Sequence, residues 1–158
     1  MSAKPLKIRP AIIGNWKMNG SGKDVKLVSR FADFLNKHKI AADVMICPPA
    51  ILIDRAGLAV KSSKLKIGAQ NCHNETSGAY TGDISATMVK DAGAKAVIVG
   101  HSERRTAYDE TDMQVRQKAQ AVINQGLQSI ICLGETRQQF NKGQTLQVVG
   151  RQLRGSLP

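Results

Sequence analysis

Five short apolar runs, each followed by a segment of helical period, constrain this chain more than any other feature. Pro10-Ala11-Ile12-Ile13-Gly14 reads as the first strand. Asp43-Val44-Met45-Ile46-Cys47 reads as the second, stopped by Pro48-Pro49, which cannot continue a ladder. Residues 64–69, 94–100 and 129–133 supply the other three. Between them, Val25, Val28, Phe31 and Leu35 fall at spacings of three, three and four, predicting a helix over 23–37. A shorter helix is expected over 51–60. Ser85 can cap a helix over 86–92, with Gly93 just past its end. Thr111 caps another, in which Val115, Ala119, Val122 and Ile123 stand at i, i+4, i+7 and i+8, and Gly126 ends it. Leu146, Val149 and Leu153 mark the last. Runs four and five are almost continuously apolar, as parallel strands covered on both faces are. This alternation defines an α/β fold with right-handed crossovers; a doubly wound sheet and a barrel both remain open.

A length of 158 residues fits one domain, 1–158, and 42% hydrophobic with 22% charged residues excludes disordered and collagen-like classes. No stretch approaches the roughly 20 apolar residues of a membrane helix, and the short basic N-terminus shows no secretory h-region. Cys47, Cys72 and Cys132 are an odd number, far apart and without a C-x-x-C pair, which argues against a disulfide framework or zinc site and for a reducing cytoplasm. The formal charge of +11 favours anionic partners. Nucleic acid is the obvious one, but the densest basic run, Lys61-Ser62-Ser63-Lys64-Leu65-Lys66, lacks the aromatic platforms of single-strand binders.

No G-x-G-x-x-G follows the first run and no P-loop occurs, so dinucleotide and nucleotide readings lose their main support. In parallel α/β folds, chemistry sits at the C-terminal ends of strands. Here those ends hold Asn15-Trp16-Lys17, Cys47-Pro48-Pro49, Gln70-Asn71, Gly100-His101-Ser102-Glu103 and Gly134-Glu135. Strand alternation places Asn15 and Lys17 on one face and Trp16 on the other. A cation beside an amide donor suits an anionic, oxygen-rich substrate. Ser102-Glu103-Arg104-Arg105 can begin a helical turn whose N–H groups disfavour imidazolium at His101. A neutral imidazole there could donate to a carbonyl oxygen. Singly, a strand-end lysine and a locally bonded histidine are ordinary residues; their concentration at one end is what points to catalysis. His38 and His73 read as surface or packing residues, and the stretch 71–83 is long enough for a loop to be functional.

Five segments resemble the triose-phosphate isomerase family, in family order and spacing over nearly the whole chain. They are Gly14-Asn15-Trp16-Lys17-Met18-Asn19-Gly20, Gly68-Ala69-Gln70-Asn71, Ser77-Gly78-Ala79-Tyr80-Thr81-Gly82-Asp83, Gly100-His101-Ser102-Glu103-Arg104-Arg105 and Cys132-Leu133-Gly134-Glu135-Thr136. The resemblance implies a (β/α)₈ barrel interconverting dihydroxyacetone phosphate and glyceraldehyde 3-phosphate in glycolysis and gluconeogenesis, with no metal and no organic cofactor. By motif match, Lys17 is the cation facing the substrate, Asn15 its neighbour in binding, and His101 the neutral electrophile. Glu103 is a carboxylate near Lys17, and Cys132 packs beside the site. Residues 74–83 match the family's dimer loop, with Thr81, Gly82 and Asp83 at its tip. Thr81 would support the partner's Asn15 and Lys17 in a homodimer. Family members more often carry Glu at the position of Asp83, where it can meet an arginine matching Arg104 across the interface; the shorter Asp83 departs from the pattern at that ion pair, not in the dimer mode.

The resemblance also implies a catalytic base, a glutamate in a Tyr-Glu-Pro-x-Trp pattern after the sixth strand, followed by a lid and the phosphate-holding loops. The 158 residues contain four glutamates, Glu75, Glu103, Glu110 and Glu135, none in that pattern. A complete barrel takes about 250 residues, so the expected architecture is five of eight βα units, with the first and fifth strands as edges. The isolated chain is then expected to be inactive. The alternatives are a non-catalytic basic protein binding nucleic acid or phosphorylated ligands, and one half of a split enzyme.

Overall fold

All five apolar runs form strands of one parallel sheet in the computed structural model, which describes residues 9–158. β1 (Ala11–Asn15), β2 (Asp43–Cys47), β3 (Leu65–Ala69), β4 (Ala96–Val99) and β5 (Gln128–Ile131) lie side by side in chain order. Doubly wound sheets reverse direction at a switch point. This sheet has no reversal and curls, so the choice left open by the pattern falls to the barrel type, with five of its units present. The basic N-terminal segment, residues 1–8, lies outside the described residues.

Period-two alternation divides the strands between two apolar clusters. Val44, Leu65, Ile67, Val97 and Val99 face outward, packed with Val28 and Leu35 of α1 (Val25–Lys37), Ile53 and Ala56 of α2 (Ile53–Ala59), and Val115, Ala119 and Val122 of α5 (Asp112–Asn124). Each valine, leucine or isoleucine among them, fully buried, contributes about 1.5–3 kcal/mol. Met45, Cys47, Ala96 and Ile98 form the smaller inner cluster, with Ile130 and Cys132 against it. β1 departs from the rest: Ile12 is 59% exposed, as the edge of an unclosed wall should be.

Caps placed the helices as their residues foretold. The Ser85 hydroxyl accepts from the Met88 N–H ahead of α3 (Ala86–Asp91), and Gly93 follows at φ +95°. Thr111 and Gln114 form a capping box on α5. Between α3 and α5 lies the short α4 (Ser102–Ala107), the turn expected after His101.

Three expectations need correction. A helix not anticipated, α6 (Arg137–Asn141), follows β5, capped by Thr136 through its own box with Gln139. Ile123 stays exposed while Lys118 is buried on the core face of α5. In α7 (Thr145–Ser156) the buried residues are Val148, Gln152 and Ser156, whereas Leu146 is 89% exposed and Leu153 also faces solvent. Backbone satisfaction turned that helix. The Gln152 amide donates to the Gly134 carbonyl at 3.0 Å and accepts from the Gly134 N–H at 2.8 Å, and Arg105 donates to Ser156 Oγ at 3.1 Å.

All three cysteines are free. Burial pushes the Cys47 thiol up to about 12 and Cys72 to about 11; Cys132 is also raised, but only half-buried. At pH 8 a thiol reagent should therefore label Cys132 first in the folded protein, with Cys47 and Cys72 reacting only on unfolding. Equal labelling rates for all three would contradict this packing.

Candidate functional site

The C-terminal strand ends open on a cleft of about 660 Å³. Asn15, Lys17, His101 and Glu103 line it together, joined by Gly82 and Asp83 from the long loop. Thr81 does not line it. Cys132 lies below, against the inner apolar cluster.

Lys17 reaches the cleft by a different route from the one alternation implies. β1 ends at Asn15, and Lys17 sits beyond it at φ +54°, in the left-handed region. Its N–H donates to Asn15 Oδ1 at 2.8 Å, which leaves the Asn15 NH₂ group for other acceptors. Its Nζ lies 2.9 Å from Glu103 Oε1. That hydrogen bond, with the lysine's charge, holds the Glu103 carboxyl below its usual range despite some opposing desolvation.

His101 owes its position to Gly100. At φ +69°, Gly100 turns the chain off β4, and a Cβ there would come within 2.8 Å of Val115. His101 then caps α4: its Nδ1 accepts from the Glu103 N–H at 3.4 Å. In the neutral ring, an Nδ1 that accepts there leaves the ring proton on Nε2. Glu103 Oε2 also stands 3.4 Å from Nδ1 but makes no hydrogen bond with it, and the backbone contact assigns the tautomer. A neutral imidazole with Nε2–H free is a hydrogen-bond donor suited to a carbonyl oxygen that gains negative charge.

The other two histidines pack locally. His38 stacks on Phe34 at 4.1 Å, and His73 lies tilted against the Tyr80 ring at 4.1 Å with Asp83 at 3.9 Å. Arg104 is engaged within its own chain, donating to Glu110 Oε1 at 3.2 Å and lying over the Tyr108 ring.

Two groups of polar residues were given no role from the sequence. Gln70, first residue after β3, donates from Nε2 to the Lys17 carbonyl at 2.9 Å and to the Cys47 carbonyl at 2.8 Å. Behind the cleft, Lys118 pairs with the buried Glu110 and donates to Asn71 Oδ1 at 3.1 Å. The second group had a signal: Lys118 lies three residues after Val115 and four before Val122, on the apolar face of its helix.

A curled parallel sheet in sequential order, with a titratable cleft at its strand C-termini, defines a protein of the (β/α)₈-barrel class. The family model for triosephosphate isomerase matches residues 10–158. A triosephosphate isomerase from Afipia carboxidovorans is 53% identical over 154 residues, 98% of this chain and 61% of the relative. One from Ruegeria pomeroyi is 52% identical, over 95% of this chain and 59% of the relative. The crystal structure of triosephosphate isomerase from Bartonella henselae superposes with a TM-score of 0.91 at 47% identity, covering 96% of this chain and 62% of that one. The chain belongs to the triosephosphate isomerase family. It spans about three fifths of the length of these relatives.

Proposed function

We propose that these residues serve the interconversion of dihydroxyacetone phosphate and glyceraldehyde 3-phosphate, a step of glycolysis and gluconeogenesis. One observation carries the reading: Lys17, Asn15, His101 and Glu103 share one cleft, with Lys17 bonded to Glu103. Lys17 supplies positive charge for a phosphorylated substrate, and the Asn15 NH₂ group adds a donor. His101 Nε2–H donates to the substrate carbonyl oxygen and stabilises the enediolate as charge builds there. Glu103 does not act on substrate; it aims the Lys17 ammonium.

Proton transfer between the adjacent carbons needs a base, and no glutamate of the 158 residues stands free in the cleft to supply it. Of the four glutamates, only Glu103 lines the cleft, and Lys17 occupies it. Glu110 is buried with Lys118, Glu135 accepts from Thr145 at 2.9 Å, and Glu75 accepts from Asn74 at 3.1 Å. The activity is therefore proposed for these residues together with three further βα units, as in the relatives.

A direct test mixes the chain with a separately expressed polypeptide carrying the remaining two fifths of the Afipia relative. Isomerase activity should appear in the mixture and fall about 10²-fold or more with His101→Leu, the scale of losing one donor to a developing oxyanion. A folded, associated mixture without activity would overturn the assignment. The homodimer is proposed on the exposed loop 74–83 beside the cleft, and the cytoplasm on three unpaired cysteines. No helix among the described residues is long and apolar enough to cross a membrane.

A further inference from the structure

Lys17 is one of only two non-glycine residues with positive φ among those described; the other is Asp109. A side-chain-bearing residue in that region is strained and persists only where its surroundings over-determine it. The backbone around Lys17 is held by amide hydrogen bonds. Its N–H is held by Asn15 Oδ1 at 2.8 Å, and the preceding Trp16 is held at both ends. The Trp16 N–H donates to the Cys47 carbonyl at 3.1 Å, and its carbonyl accepts from Asn19 Nδ2 at 2.9 Å. The remaining backbone group, the Lys17 carbonyl, accepts from Gln70.

Gln70 does this with one nitrogen serving two acceptors, the Lys17 and Cys47 carbonyls. The Cys47 carbonyl is the same oxygen that receives the Trp16 N–H. A single NH₂ group on the end of β3 thus ties together the ends of β1 and β2. Both of its protons are used, and only a primary amide or a cation could replace it. A carboxylate of the same length would set negative oxygens against two carbonyls, and an isosteric thioether would leave both carbonyls without this donor.

We propose that Gln70 is a positioning residue: its side-chain amide locks the left-handed backbone of Lys17 and thereby fixes the ammonium against Glu103 at the cleft. Its importance for turnover rests on the isomerase reading above; the clamp itself does not. Without the clamp, Lys17 relaxes toward ordinary φ, and a shift of that dihedral at the root of a four-carbon side chain carries the ammonium away from Glu103.

The experiment uses the chain alone, without substrate. The Glu103 carboxyl is followed by ¹³C NMR through an acid titration in wild type, Gln70→Met, Gln70→Glu and Lys17→Ala. In both Gln70 variants its midpoint should rise most of the way to that of Lys17→Ala. Leu35→Ala, a core substitution remote from the cleft, should leave it in place although it also destabilises the fold. A second measurement needs no variant: both Gln70 side-chain amide protons should exchange with solvent at least about tenfold more slowly than those of the exposed Gln138. An unmoved Glu103 midpoint in folded Gln70→Met, or Gln70 protons exchanging as fast as those of Gln138, would overturn the clamp. Either result would leave the isomerase reading standing. An inactive reconstituted enzyme, conversely, would sink that reading without touching the clamp.

Discussion

Purified as the 158-residue polypeptide, the protein should interconvert triose phosphates at least about 10⁴-fold more slowly than the complete relatives. A general base contributes about 10²–10⁴-fold on its own, and no glutamate here stands free in the cleft. The second loss is positional. Binding energy from a remote phosphate holds the reacting carbons in place, and charge on Lys17 alone fixes one point of the substrate rather than its orientation. The two losses act on the same transition state, so the donor role proposed for His101 would have nothing to cooperate with. A coupled assay on mass-verified protein, made in a host lacking its own isomerase, reads this directly. Turnover within tenfold of the complete relatives would mean that another group removes the proton, and Asp83 at the cleft would be the first to substitute.

How much of this was legible depended on whether a residue announces chemistry. The βα order could be read because apolar runs and capping residues are local signals: Ser85, Thr111 and Gly93 all stand where their side chains or φ require. Sheet order could not, since pairing is set by tertiary packing, and only the sequential arrangement separated barrel from doubly wound sheet. At the site, Lys17, His101 and Glu103 are legible because each is an ionisable residue type at a strand end. Lys17 was nonetheless placed by the wrong rule, because strand alternation stops at Asn15 and a left-handed turn takes over. Gln70 stands among the strand-end residues but has no legible role, for the opposite reason: a neutral amide signals nothing until its acceptors are known. The register of α7 failed where backbone groups of the β5–α6 loop recruited Gln152 and displaced Leu146 from the interior.

Glu110→Ala should cost about 3–5 kcal/mol, the largest single-residue effect on stability expected here. The Glu110 side chain is 4% exposed and that of Lys118 11%, so the pair is out of water. Glu110 Oε1 takes both Lys118 and Arg104, while Oε2 is buried without a hydrogen-bond partner. The site is thus already under-satisfied. Deleting the carboxylate strands a buried ammonium with only Asn71 Oδ1 at 3.1 Å. For a chain of this size the melting temperature should drop by roughly 6–20 °C, at about 2–4 °C per kcal/mol. Glu103→Ala removes an exposed pair and should cost no more than about 1 kcal/mol. The pH dependence has a definite sign. Burial pushes the Glu110 carboxyl up, but the Lys118 and Arg104 cations outweigh it and hold it below the ordinary glutamate value. A carboxyl depressed on folding stabilises fully above its unfolded value, near 4.3, and that contribution fades as pH falls through the folded value. The gap between wild type and Glu110→Ala in urea denaturation should therefore hold at pH 7 and narrow below about pH 4. Replacing both partners, Glu110→Met with Lys118→Met, should recover most of the loss, because no unpaired charge remains. A Glu110→Ala protein within 1 kcal/mol of wild type at pH 7 would show that water reaches this pair and that Lys118 is not stranded by the loss.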